Sequence, residues 1–341
     1  MTKRFLFYSP DSLEHSTIDQ HSTLYKIGAI PDAFMPVDRL GYYTSPVDVM
    51  YDEMPTGEIR RVTLEEACYD AAMQIYARSD DVVLLWSGGI DSTLAAVSLL
   101  KYRPPHCKIT FAFNQYSVEE YPAFANFIRT QCDYRFLESN EGYRFATYLQ
   151  PHQYLTSGEC ADQLLGSRAF LQLGLDFNTP INNCYNHPLV VGTLPKVLLD
   201  RNLPEETLST IIQQAPITLS TVFDLFWYLN FRFKWTHVRW KILTHFDATI
   251  FQPSLVKRYN PFYNTVSWQH WSIGNHYLKH EGTEESYKIS FKQEILRATK
   301  DSSYLHKRKE SSFPRVKLSK RYKSIYRLYE DGSIDSYDET T

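Results

Sequence analysis

The stretch DVVLLWSGGIDSTLAAVSLL fills residues 81–100, and its order of parts decides the fold. An apolar run over 81–86 reads as a buried strand, and the Ala- and Leu-rich run over 91–101 reads as a helix. Between them stand Ser87, Gly88, Gly89, Asp91 and Ser92. A tight turn alone does not need two glycines, two hydroxyls and a carboxylate. A strand that turns sharply into a helix leaves free N–H groups at the helix start, and those groups with the helix dipole bind anions. Gly88 and Gly89 let a phosphate come close to the backbone, while Ser87 and Ser92 add hydroxyl donors. Asp91 would repel a phosphate, so its presence points to a Mg²⁺ between the two.

The same design repeats outward from this stretch. CKITFAFN (107–114) reads as a strand, EEYPAFANFIRTQ (119–131) as a helix and YRFLES (134–139) as a short strand. QYLTSGECADQLLGSRAF (153–170) is again a short strand, a small-residue turn and a helix. Strands alternating with helices predict an α/β fold, a parallel sheet flanked by helices and wound right-handedly. Upstream, TLEEACYDAAMQIYARS (63–79) opens with Thr63 and Glu66 at capping-box spacing and continues at helical spacing. Residues 198–246 read as mostly helical, and the aromatic run over 223–240 reads as core rather than as a base-stacking platform. Helices continue over 286–299. A basic stretch follows over 305–323, and the tail alternates around Asp331-Gly332 as a terminal β-hairpin. Residues 1–60 carry Pro and Asp every few positions and read as loops and short strands. The expected division is an irregular segment over 1–60, an α/β domain over 61–320 and a hairpin tail over 321–341.

With 341 residues the chain can bury a sizeable core, and 43% hydrophobic with 22% charged residues is ordinary for a globular protein. A net charge of −3 gives no global pull toward nucleic acid or membrane. The five cysteines never stand at CxxC spacing, and the histidines form no metal-binding motif, so neither a disulfide framework nor a zinc site is expected. The N-terminal apolar run is too short for a signal peptide core, and no run reaches the ~20 residues of a membrane span. These features predict a cytoplasmic protein.

SGGIDS lacks the Gly-Lys-Ser/Thr element of a Walker loop. It matches the SGGxDS signature of the PP-loop ATP pyrophosphatases, which cleave ATP between the α and β phosphates. TSGECADQLLGS (156–167) resembles the SGEGxDELFGGY motif of the asparagine synthetase family's synthetase domain. Further segments follow in that family's order. FDATIFQPSLVKRYNPFYN (246–264) resembles its segment ending in PFLD, YKISFKQEILRA (287–298) its KyiLR helix, and HKRKESSF (306–313) its RxKxxF segment. The resemblance spans about 60–320. It implies ATP and Mg²⁺ as cofactors, with Ser87, Gly88, Gly89, Asp91, Ser92 and Lys292 binding ATP or pyrophosphate. It further implies Asp91 and Asp162 as metal ligands, Glu159 as the residue serving the attacking amine, and Lys309 as the lysine that neutralises the leaving pyrophosphate. Read without the resemblance, Glu159 and Asp162 are also residues that suit a helix start.

The sequence departs from that family in three places. Residue 2 is Thr2, the first cysteine is Cys68, and the 60 residues before the resemblance are far fewer than a glutaminase domain needs. Gln163 and Asn264 stand where the family carries acidic residues. The expected activity is therefore an ATP-dependent, AMP-forming carbon–nitrogen ligase without its own glutaminase. It would join a small-molecule or peptide carboxylate to an amine, from ammonia, a separate glutaminase or the substrate itself. β-Lactam synthetases and lasso-peptide cyclases share this core and form the amide intramolecularly, which is one alternative. A second is a PP-loop enzyme acting on nucleic acid, for which eight basic residues against one acidic over 305–323 speak.

Overall fold

The structure, a computed structural model, describes residues 4–7, 37–43, 49–137, 149–166, 170–171, 174–181, 205–244, 254–307, 325–328 and 334–337. Its centre is a four-stranded, all-parallel sheet of β2 (Asp81–Leu85), β3 (Lys108–Phe113), β4 (Asp133–Phe136) and β5 (Tyr154–Ser157), in the order β4–β3–β2–β5. Val82, Val83 and Leu84 are fully buried, as a strand covered on both faces requires. The predicted α/β architecture with a largely helical C-terminal part is what forms.

The helices follow from their caps. α1 (Leu64–Tyr76) has the expected capping box between Thr63 and Glu66. α2 (Ile90–Lys101) leaves the β2 turn with Gly89 at its N-cap and no side-chain cap, so its first N–H groups receive no capping side chain. The single helix expected over 119–131 is two, α3 (Gln115–Glu120) and α4 (Pro122–Gln131). Pro122 disfavours helical dihedrals at Tyr121 and lacks the N–H that would continue the ladder, so a new helix starts there. α5 (Ala161–Leu165) follows β5, and α6 (Glu205–Gln213) lies beyond it in the chain.

The aromatic run forms α7 (Val222–Leu229), a π-helical turn (Asn230–Lys234) and α8 (Trp235–Thr244). Phe223, Trp227, Tyr228, Phe231 and Trp235 are fully buried, so the run is core. The buried Arg232–Asp38 ion pair, at 2.7 Å, is anchored on that turn. After α9 (Ser254–Lys257), residues 258–262 run alongside β5. There the Leu155 N–H donates to Arg258 O at 2.7 Å and the Phe262 N–H to Ser157 O at 2.9 Å. α10 (Val266–Gly274) and α11 (Ile289–Thr299) complete the helical part.

The tail forms the expected antiparallel hairpin, β6 (Ile325–Leu328) with β7 (Ile334–Tyr337), and β1 (Arg4–Phe7) adds to it as a third strand. The ends of the chain thus pair with each other, which no local pattern announces. Among the described residues no helix is long and apolar enough to cross a membrane, and Cys68, Cys107, Cys132 and Cys160 are free thiols.

The strand order places the site. The chain steps outward from β2 through β3 to β4, then returns to the far side of β2 to lay down β5. In an open parallel sheet the crevice outside the strands' carboxyl ends, where that direction reverses, is where ligands bind. The two turns leaving β2 and β5 flank that crevice.

Candidate functional site

The β2 turn is held by its own polar groups. The Ser87 N–H donates to Ser92 Oγ at 3.1 Å, the two serine hydroxyls lie 3.0 Å apart, and Ser92 Oγ donates to Gly89 O at 3.2 Å. Gly88 sits at φ +78°, and a Cβ there would meet Ser117 O at 2.5 Å, so glycine is required twice over. Gly89 differs. Its φ of −73° suits any residue, and an added Cβ would meet only Ser87 Oγ, at 3.4 Å. Packing does not demand glycine at 89, whereas a phosphate lying on the helix start would.

The β5 turn packs directly on the first. A Cβ on Gly158 would fall 2.7 Å from Ser92 N and 3.1 Å from Asp91 C, so the turns touch through backbone. The Glu159 N–H donates to Ser157 Oγ at 3.3 Å, and Ser157 Oγ meets Tyr259 OH at 3.0 Å. Cys160, buried, takes a left-handed backbone at φ 71° and starts α5. Such a conformation in a non-glycine residue costs roughly 1 kcal/mol or more and persists where its surroundings enforce it. Tyr263 OH donates to Asp91 O at 2.7 Å, which ties the PFLD-like segment to the first turn. Asn264 accepts from Trp235 Nε1 and donates to Asn260, so the amide at this position is bound into a polar cluster.

Asp91 and Asp162 come together across the crevice, joined by a residue that sequence reasoning missed. Lys288 Nζ lies 2.6 and 2.7 Å from the two Asp91 oxygens and 2.7 Å from Asp162 Oδ1. Its side chain is only 4% exposed, against 17% for Asp91 and 52% for Asp162. Burial works against its charge, but Asp162 and Asp91 outweigh that and hold the ammonium above the ordinary lysine range. Lys288 is a second left-handed residue, φ 62°, at the N-cap of α11. Lys292, expected to reach the phosphates, is buried and donates to Glu285 O at 2.8 Å. Read as one helix, 287–298 puts both lysines on one face. The left-handed residue takes Lys288 out of the helix and into the crevice.

Lys309 lies outside the described residues. Its neighbour Lys307 donates to Glu120 O and sits over the Tyr121 ring at 4.8 Å. Glu120 is also the side chain that a Cβ on Gly88 would strike, so the basic segment enters beside the first turn.

Two carboxylates meeting at one point, with oxygen donors only, fit a hard divalent cation, and Asp91 and Asp162 are the residues that would hold Mg²⁺. The charge now at that point is the ammonium of Lys288. The site thus sets the N-terminus of α2 beside a cluster of two carboxylates and one ammonium. It also carries a further carboxylate, Glu159, three residues before Asp162. Compared with models of known protein families the chain matches none, and among curated proteins no match is found.

Proposed function

We propose that this protein is an ATP-dependent, AMP-forming ligase that makes an amide bond. The observation that carries this reading is the pair of touching turns, SGGIDS and SGECAD, at the reversal point of the sheet, with Asp91 and Asp162 sharing Lys288 Nζ. Polyphosphate would lie on the start of α2, which no side chain caps, within reach of the Ser87 and Ser92 hydroxyls and in competition with the long 3.4 Å bond from the Gly89 N–H to Ser87 Oγ. A carboxylate oxygen of the substrate attacks the α-phosphorus, the α–β bridging bond breaks, and pyrophosphate leaves. An amine nitrogen then attacks the acyl carbon, the bond to AMP breaks, and Glu159 takes the amine proton. Lys288 steadies the carboxylates on which charge neutralisation depends, and positioning with charge neutralisation supplies most of the catalysis in such transfers. Mg²⁺, when bound, would add to that neutralisation.

The test is a product assay across candidate carboxylates, with and without ammonium. Carboxylate-dependent formation of AMP and pyrophosphate is expected. Coupled release of ADP and phosphate would overturn the reading. Salt-sensitive binding to polynucleotide, lost on raising ionic strength, would favour nucleic acid as the substrate instead.

A further inference from the structure

We propose that Asp80, His106 and Cys107 form a binding site for a transition-metal ion of the zinc class, at the amino-terminal edge of the parallel sheet. Asp80 directly precedes β2, and His106 and Cys107 directly precede β3. The two strands pair with Asp81 opposite Lys108, and the Lys108 N–H donates to Asp80 O at 2.6 Å. The backbone of the sheet thus fixes all three positions relative to one another. His106 Nε2 lies 3.5 Å from Asp80 Oδ1, Cys107 Sγ lies 3.7 Å from the same oxygen, and the three ligand atoms all fall within 4.8 Å of one another.

Those separations are close to the edges of a metal tetrahedron. Bonds of about 2.0–2.3 Å to O, N and S place neighbouring ligand atoms about 3.3–3.8 Å apart. Two edges already match, and the third closes by rotating His106, whose side chain is 70% exposed. A set of one thiolate, one imidazole and one carboxylate selects zinc-like ions over magnesium or calcium. Cys107 is buried while Asp80 and His106 face solvent, so the fourth position of an ion held here opens outward to water. A surface ion pair alone accounts for His106 beside Asp80, and such pairs contribute about 0–1 kcal/mol. The buried Cys107 thiol donates a hydrogen bond to the same carboxylate oxygen, which brings the sulfur to the point that Asp80 and His106 already share. Asp80 lies 26 and 27 residues before His106 and Cys107, so no spacing motif could show the set. They lie at the opposite end of β2 from Ser87, and the site stands or falls apart from the ligase reading.

Cobalt(II) added to the metal-free full-length protein tests this. One equivalent is expected to give the intense visible bands of a tetrahedral ion together with a thiolate-to-cobalt charge-transfer band, both bleached by zinc. Cys107→Ser should abolish the charge-transfer band. Asp80→Ala and His106→Ala should each weaken cobalt binding at least tenfold, and both are exposed positions where folding is retained. The proposal is overturned if no charge-transfer band forms. It is equally overturned if the band survives Cys107→Ser, or if Asp80→Ala and His106→Ala bind cobalt as tightly as the parent.

Discussion

At Lys288 one ammonium meets two carboxylates, and a left-handed backbone turns it toward them. Removing it with Lys288→Met takes away the ammonium that both Asp91 and Asp162 contact. Breaking a buried pair typically costs about 3–5 kcal/mol. Asp162 is half exposed, so the low end, about 3 kcal/mol, is expected from urea unfolding. A loss within error of zero would mean that the bridge does nothing for the fold. The carboxylates of SGECAD separate by chemistry. Asp162→Ala should cut pyrophosphate release by about 10²–10³, the usual cost of losing such electrostatic help. Glu159→Gln should still exchange labelled pyrophosphate into ATP in the presence of the carboxylate, while amide formation falls further, by about the 10²–10⁴ of a lost general base. If both variants lose exchange and amide synthesis alike, the two roles are not divided between these residues. Ser87, Gly88, Gly89 and Asp91 stand out in the sequence because turn chemistry and helix starts are local, whereas Glu159 and Asp162 are singled out only by the family resemblance and otherwise read as helix-start residues. Lys288 does not stand out, since its place depends on one dihedral at the edge of α11.

Around the site, packing requires some glycines and not others, and the difference can be measured. Gly158→Ala sets a Cβ 2.7 Å from the Ser92 backbone nitrogen, where no flexible side chain can give way. Forcing the β2 and β5 turns apart should destabilise the protein by about 1–3 kcal/mol, the range for overpacking. Gly89→Ala meets only Ser87 Oγ at 3.4 Å in a conformation any residue adopts, so its melting temperature should stay near that of the parent. Nucleotide affinity should nonetheless fall, because the methyl group stands where a phosphate would approach. A Gly89→Ala variant that binds ATP normally would remove the helix start as the phosphate site. The strands and the capping boxes of Thr63 and Thr221 follow from local pattern. Pro122 marks the break between α3 and α4, and its consequence is legible once the rule against a helical residue before proline is applied. The strand order was not legible, because pairing β5 beside β2 rather than β4 is a choice between distant segments. Neither was β1, whose partner lies more than 300 residues away.

Across the whole molecule, the helical part behind the β5 turn carries a buried polar chain that should set the acid limit of stability. His276 Nε2 lies 2.7 Å from Asp224 Oδ1, and His276 Nδ1 lies 2.7 Å from Lys279 Nζ, which sits 3.7 Å over the Trp227 ring. Trp227 in turn donates to Leu164 O on α5, so this chain braces the helix that follows SGECAD. Burial first, then the neighbouring Lys279, pulls His276 down to about 4, from 6.5. The unfolded chain therefore takes up this proton first as pH falls. Stability is at its full value above about 6.5 and is lost progressively toward about 4. For a shift of this size the loss is at most about 3 kcal/mol. Asp224 acts in the next window down. Burial opposes its charge, yet His276 and the Ser220 and Thr221 N–H groups hold it at about 2, so its contribution is lost only as pH falls below 3.8. His270 and His280 are lowered as well, chiefly by burial, and steepen the upper window. Chemical unfolding between pH 7 and 4 should show the midpoint falling in the parent, and falling less in His276→Gln, which removes the titrating group and keeps polar atoms in the same place. Equal slopes in the two proteins would show that His276 does not govern acid stability and would leave His270 and His280 to account for it.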